Sequence, residues 1–218
     1  MKQTVARFCQ WVLLGSLGAM AAFAAAPGYW MELESRLLLS LIQSGAALAA
    51  GLGLGGERGQ KIRRTARLLL AVYLTHLISL LFFDGEFGRH NTFRLENWRL
   101  RTNLRPFATM AVYWKGMRRG WVSKSAAVIN LLGNLLALAP LGALLPFAWS
   151  RMKKIAPSLA LGALCIFLIE VTQLLTGCGS CDIDDFILNF TGFALTRLAV
   201  QPLRPKLDRA ETEGGENC

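Results

Sequence analysis

An all-α bundle of transmembrane helices is the fold class this sequence predicts, and three observations predict it. Hydrophobic residues make up 53% of the 218 residues and charged ones only 17%, where a soluble domain carries about a quarter. The mean hydropathy is +0.38. The apolar residues are gathered into runs of about 18 to 22, the length that crosses ~30 Å of hydrocarbon, and clusters of Arg and Lys separate them. Backbone in lipid must satisfy its own hydrogen bonds, so each run reads as a helix. The alternating segments of a membrane barrel are absent. Five to six spans are expected, with a basic and aromatic interfacial loop at 84–124.

The first run, Phe8 to Ala26, reads as a retained span. A cleaved signal peptide is the alternative, because Ala24-Ala25-Ala26 is a small-residue stretch. The second run, Leu37 to Gly55, is rich in the Gly and Ala that let helices approach closely. A basic connector follows, with Arg58, Lys61, Arg63, Arg64 and Arg67, and then the third run, Leu68 to Phe83. His76 inside that run fits a packing or hydrogen-bonding role better than a ligand role. The segment 84–124 mixes nine basic residues with Trp98, Tyr113, Trp114 and Trp121, a composition suited to the membrane interface. Phe93, Leu100 and Leu104 recur at helical spacing there, and Pro106 should end that helix. The fourth run is Ala126 to Trp149, the fifth Pro157 to Leu175, and the sixth Phe186 to about Val200. The sixth is the shortest and most polar. The tail, 201–218, is expected to be disordered. Residues 1–65 read as a two-span amino-terminal region and 66–200 as a second unit.

Short loops rich in Lys and Arg stay in the cytoplasm. With the amino terminus inside, the connectors at 56–67 and 150–156 and the tail are inside too, with five, three and three basic residues. The loops at 27–36 and 176–185 are then outside, with one and none. The nine in 84–124 stand against the rule, but length weakens it and anionic headgroups can hold interfacial charge. Basic loops of this kind account for the net charge of +10 without nucleic acid as a partner; membrane lipids are the expected surroundings.

This topology brings the polar residues of three runs to one depth. Asn130 and Asn134 share a helix face, as do Glu170 with Gln173 and Asp185 with Asn189. Polar groups in a bilayer face the bundle interior, where they either pair as interhelical glue or line a wet cavity. Arg101, Asn103 and Arg105 lie in the facing loop. Asp182, Asp184 and Asp185 must relieve their mutual repulsion. A hard cation, a partner such as Arg101 or Arg105, or a raised pKa making one of them a general acid would each do so. Asp182 equally fits the cap of the sixth helix. The run D-I-D-D-F lacks the Gly and distal Glu of a calcium loop, so no metal is assigned, and the residues name no cofactor. Cys178 and Cys181 have C-x-x-C spacing without the second pair or His that would complete a zinc site. A disulfide between them fits an oxidising outer face.

The ordered set Asn103-Leu104-Arg105-Pro106-Phe107, Asn130-x-x-x-Asn134 leading to Pro140-Leu141-Gly142, Glu170-x-x-Gln173, and Asp182-Ile183-Asp184-Asp185 with Asn189 and Gly192 resembles the VanZ-like membrane proteins. The resemblance covers about residues 66 to 197. It implies a bacterial inner-membrane protein of the cell envelope that modifies the surface and lowers susceptibility to glycopeptides such as teicoplanin. Many members carry a basic residue just before the aspartate motif; this chain has Gly179 and Ser180 there. Two alternatives stand beside that reading. One is an intramembrane enzyme acting on a lipid-linked envelope precursor, with Glu170 or one of Asp182, Asp184 and Asp185 as acid or base and Arg101 and Arg105 holding a phosphate. The other is a small transporter, against which the lack of an internal repeat counts.

Overall fold

The computed structural model describes residues 2–24, 31–83 and 98–203. They form helices almost throughout, which makes the fold all-α. The helices are α1 (Lys2–Ala24), α2 (Leu33–Gly53), α3 (Arg58–Phe82), α4 (Ala108–Arg119), α5 (Lys124–Ala137), α6 (Ala139–Ala148), α7 (Ile155–Thr176) and α8 (Ile183–Ala199). Two short strands, β1 (Thr102–Asn103) and β2 (Cys181–Asp182), pair in parallel. The expected tail and Phe93 lie largely or wholly outside the described residues.

Among the described residues, five stretches are long and apolar enough to cross a membrane: Lys2–Ala24, Glu34–Gly53, Arg58–Phe82, Lys124–Ala148 and Ile155–Thr176. At 1.5 Å per residue, the 25 residues of α3 reach about 38 Å. Large apolar side chains such as Trp11, Leu41, Ile129 and Phe167 are exposed along these helices, the surface that lipid would cover. The fourth run is broken. Leu138 ends α5 and caps α6, and Pro140 sits in the first turn of α6, where its missing N–H breaks no helical bond.

The sixth run explains itself by position. The 17 residues of α8 pack against α5, α6 and α7. Phe193 and Arg197 of α8 are fully buried, with Phe193 in the main core beside Leu138, Leu141, Leu145 and Ile166. A helix enclosed by protein does not need an apolar face all round, so α8 tolerates the polar residues that make it a weak span by composition. Gly192 lies so close to the Leu135 carbonyl of α5 that a β-carbon there would overlap it. Its absence brings the two backbones together.

The ends of the bundle differ. At one end Arg64 Nη2 donates to Gly55 O (3.1 Å) and Arg67 Nε to Ala148 O (3.0 Å). There too Arg197 reaches Lys153 O (2.9 Å), Ser158 Oγ (3.2 Å) and Gln201 Oε1 (2.7 Å). Arginines of α3 and α8 thus tie down the basic connectors after α2 and α6. The amino-terminal hairpin is tied to α3 inside the bundle: Arg36 Nη1 donates to Ser79 Oγ (3.0 Å), and Gln43 Oε1 lies 2.8 Å from His76 Nε2. His76 therefore sits in a hydrogen-bond network, as its position in an apolar run suggested.

The interfacial segment departs from expectation. Among its described residues, 98–124, the helix that forms is α4, after Pro106. Leu100 and Leu104 are 86% and 70% exposed, because the chain there forms a turn and then β1. Pairing with β2 holds this backbone extended, which outweighs the helical spacing of its leucines.

Candidate functional site

The opposite end of the bundle is organised by the loop before α8. Gly177 closes α7 in the left-handed conformation (φ 76°), which glycine adopts without penalty. The chain then turns back into β2, and Cys181 N–H donates to Arg101 O (2.9 Å). Arg101 itself folds over the end of α7. Its Nη2 donates to the carbonyls of Gln173 (3.2 Å), Leu174 (3.0 Å) and Gly179 (2.6 Å), at the negative end of the helix dipole. Arg105 is exposed, and its backbone N–H donates to Asn103 Oδ1 (3.1 Å).

The aspartates settle their repulsion with neutral donors from helix ends. Asp182 is the N-cap of α8: its Oδ1 accepts from Asp184 N–H (2.9 Å) and from Asn103 Nδ2 (3.0 Å). Thr109 Oγ1 donates to its other oxygen. Asp184 is 1% exposed and caps a different helix. Its carboxylate accepts from Phe107 N–H and, at 3.0 Å, from Met110 N–H, both at the start of α4. Phe107, the local N-cap, has no capping side chain and a φ of +64°, so α4 borrows its cap from 77 residues away. Two positive helix ends thereby share one acidic loop.

Asp185 turns the other way and accepts a hydrogen bond from Asn134 Nδ2. Asn189 Nδ2 donates to Asp185 O (2.9 Å). Glu170 is 4% exposed, and its Oε2 accepts from Asp182 N–H (3.0 Å). A cavity of about 170 Å³ opens between these helices. Asn130 and Asn134 of α5, Glu170 and Gln173 of α7, and Asp185 and Asn189 of α8 line it, with Leu77 and Leu81 of α3 on its apolar side. Among the described residues no Lys or Arg lines it. Nor, among them, do three or more His, Cys, Asp or Glu side chains group so as to hold a metal. The residues singled out in the sequence thus divide into two sets. The six polar residues of α5, α7 and α8 share the cavity, while Arg101, Asn103, Arg105, Asp182 and Asp184 build the platform beside it.

The two cysteines of the C-x-x-C spacing have different partners. Cys178 and Cys181 are both free thiols. Cys178 is buried and its Sγ donates to Phe82 O (3.4 Å) at the end of α3, while β-pairing holds Cys181 against Thr102. Burial pushes the Cys181 thiol up, and the charges of Glu170 and Asp182 push it further. A raised pKa leaves less thiolate at neutral pH. Cys181 is therefore expected to react with iodoacetamide several-fold more slowly at pH 7.5 than a free cysteine, and a rate equal to that of free cysteine would contradict this placement.

Two residues at the site were not singled out in the sequence. Thr109 carries no signal there, since its partner lies 73 residues away. Tyr113 is half-buried; burial, then the charges of Asp185 and Asp182, push its phenol up. It reads locally as one more interfacial aromatic. No curated protein and no solved structure matches the chain. The family model described as VanZ/LLP1 matches residues 70–201, more than half of the chain and every residue of the two sets above, and the chain belongs to that family.

Proposed function

We propose that this VanZ-like membrane protein works at the bacterial cell envelope. On this reading it sits in the inner membrane with its amino terminus in the cytoplasm. The cavity faces the outer side, where the protein alters the cell surface and lowers susceptibility to glycopeptides such as teicoplanin. The observation that carries the reading is the convergence of six polar side chains from three helices on one cavity. Polar groups in a bilayer interior are expensive and mark substrate or ligand pathways when they gather at one cavity. Two carboxylates and, among the described residues, no lining Lys or Arg favour an ammonium, hydroxyl or amide group over a phosphate as the bound part.

A second reading is favoured by the presence of both Glu170 and Asp185 in the cavity. It makes the protein an intramembrane enzyme acting on a lipid-linked envelope precursor, with these two as acid and base. Arg101 does not fit the phosphate-holding role there, since its Nη2 is engaged by the carbonyls at the end of α7.

The test is complementation of a deletion strain. Wild-type chain is expected to raise teicoplanin resistance, and Glu170→Gln and Asp185→Asn are expected to fail at equal membrane abundance. Unchanged susceptibility on deletion and on overexpression removes the reading. The two versions separate by magnitude. Loss of one hydrogen bond to a charged group weakens binding about 10- to 100-fold, a partial effect that excess protein offsets. Loss of an acid or base slows turnover by about 10² to 10⁴, and overexpression restores little.

A further inference from the structure

The end of the bundle away from the acidic loop carries a second cavity, of about 390 Å³, lined by Gln60, Arg63, Arg64, Arg67 and Leu68. All five lie on α3. Residues 60, 63, 64 and 67 follow helical spacing, so they fall on one face. Three guanidinium groups gathered on one face repel each other, and no carboxylate lines the cavity among the described residues. An anion is the natural counterpart.

Two of the arginines are held by backbone carbonyls. Arg64 Nη2 is fixed on Gly55 O (3.1 Å). Its Nη1 is a buried nitrogen with no hydrogen-bond partner among the described residues. An unsatisfied buried donor on a charged group is costly. Arg67 is pinned by Nε to Ala148 O (3.0 Å) and lies 5.8 Å over the Trp149 ring. A preorganised guanidinium loses little entropy when it meets a phosphate, and its planar fork matches phosphate oxygens two at a time.

We propose that Gln60, Arg63, Arg64 and Arg67 form a binding site for the phosphate of an anionic phospholipid. Phospholipid, rather than a soluble phosphate, follows from depth. The site sits where the apolar run of α3 begins at Leu68, and Leu68 lines it. Trp149 flanks Arg67, at the level where tryptophan sits between headgroups and hydrocarbon. Clusters of basic residues on a helix at that level suit anionic lipid headgroups. The site lies at the other end of the molecule from the polar cavity and does not depend on what that cavity does.

The test is native mass spectrometry of the full chain in detergent with equal amounts of phosphatidylglycerol and phosphatidylcholine. Retained phosphatidylglycerol is expected to exceed phosphatidylcholine by about tenfold, and 10-fold excess inorganic phosphate should not displace it. R63Q/R67Q should reduce that preference to near unity. Gln60→Glu, which adds a negative charge and leaves every arginine in place, should do the same in a protein whose fold is checked by circular dichroism. Equal retention of the two lipids, or wild-type preference in Gln60→Glu, overturns the proposal. Displacement by inorganic phosphate overturns the lipid assignment in favour of a free anion.

Discussion

Asp184→Ala is expected to lower stability by about 3 kcal/mol, because it strips both hydrogen bonds from the start of α4 at once. The side chain is buried and lies outside the polar cavity, so the loss is one of architecture. The N–H groups of Phe107 and Met110 would be left without their acceptor. Phe107 offers no substitute from its own side chain, and its left-handed backbone conformation is uncommon for a bulky residue and needs surrounding support. Asp184→Asn keeps one acceptor oxygen and should lose about half as much. The measurement is thermal unfolding in detergent together with limited proteolysis between α3 and α5. New cleavage around residues 98–123 should accompany the drop. A variant within about 0.5 kcal/mol of wild type with no new cleavage would mean that α4 is held some other way.

Gly192→Ala is expected to destabilise by about 2 to 3 kcal/mol, since its β-carbon would meet backbone, which cannot move aside as a flexible side chain can. The atom in the way is the Leu135 carbonyl, so α5 and α8 must part. The Asn134–Asp185 hydrogen bond crosses the same pair of helices and would stretch with them. The cavity should therefore lose its shape along with the fold's stability. Gly133 provides the matched control. It lies on the same helix as Leu135, and a β-carbon there has nothing within 4 Å. Gly133→Ala should leave stability unchanged or raise it by about 0.5 to 1 kcal/mol through helix propensity. Both are measured by unfolding in the same detergent, and equal effects at the two positions would refute the close-approach argument.

What could be read from sequence was whatever is set by local periodicity. Run length marked the spans, and i, i+3 and i, i+4 spacing put Asn130 with Asn134 and Glu170 with Gln173 on shared faces, because a helix fixes those relations whatever surrounds it. The break at Leu138 had its proline in plain view at Pro140, but a proline in the first turn and one inside a helix look alike until the neighbours are known. Long-range pairing lay out of reach. The leucines before Pro106 suggested a helix that β2 overrides. Asp184 read as a candidate acid because nothing near it shows that the unmet donors belong to α4. Arg197 stood in the sixth run as a lone charge, and the neutral oxygens that receive it come from Met152, Lys153, Ser158 and Gln201.

The pairing of β1 with β2 also sets a timetable. Thr102 meets Cys181 and Asn103 meets Asp182, so the first partner is made long before the second exists. A ribosome adding about 5 to 20 residues per second takes roughly 4 to 16 seconds to cover the gap. During that interval α4 has neither its strand nor its borrowed cap, while α5, α6 and α7 are being inserted. The segment from β1 through α4 thus waits for β2 and Asp184, although α5, α6 and α7 are made before them. Any factor that guards nascent membrane proteins would find its exposed backbone there.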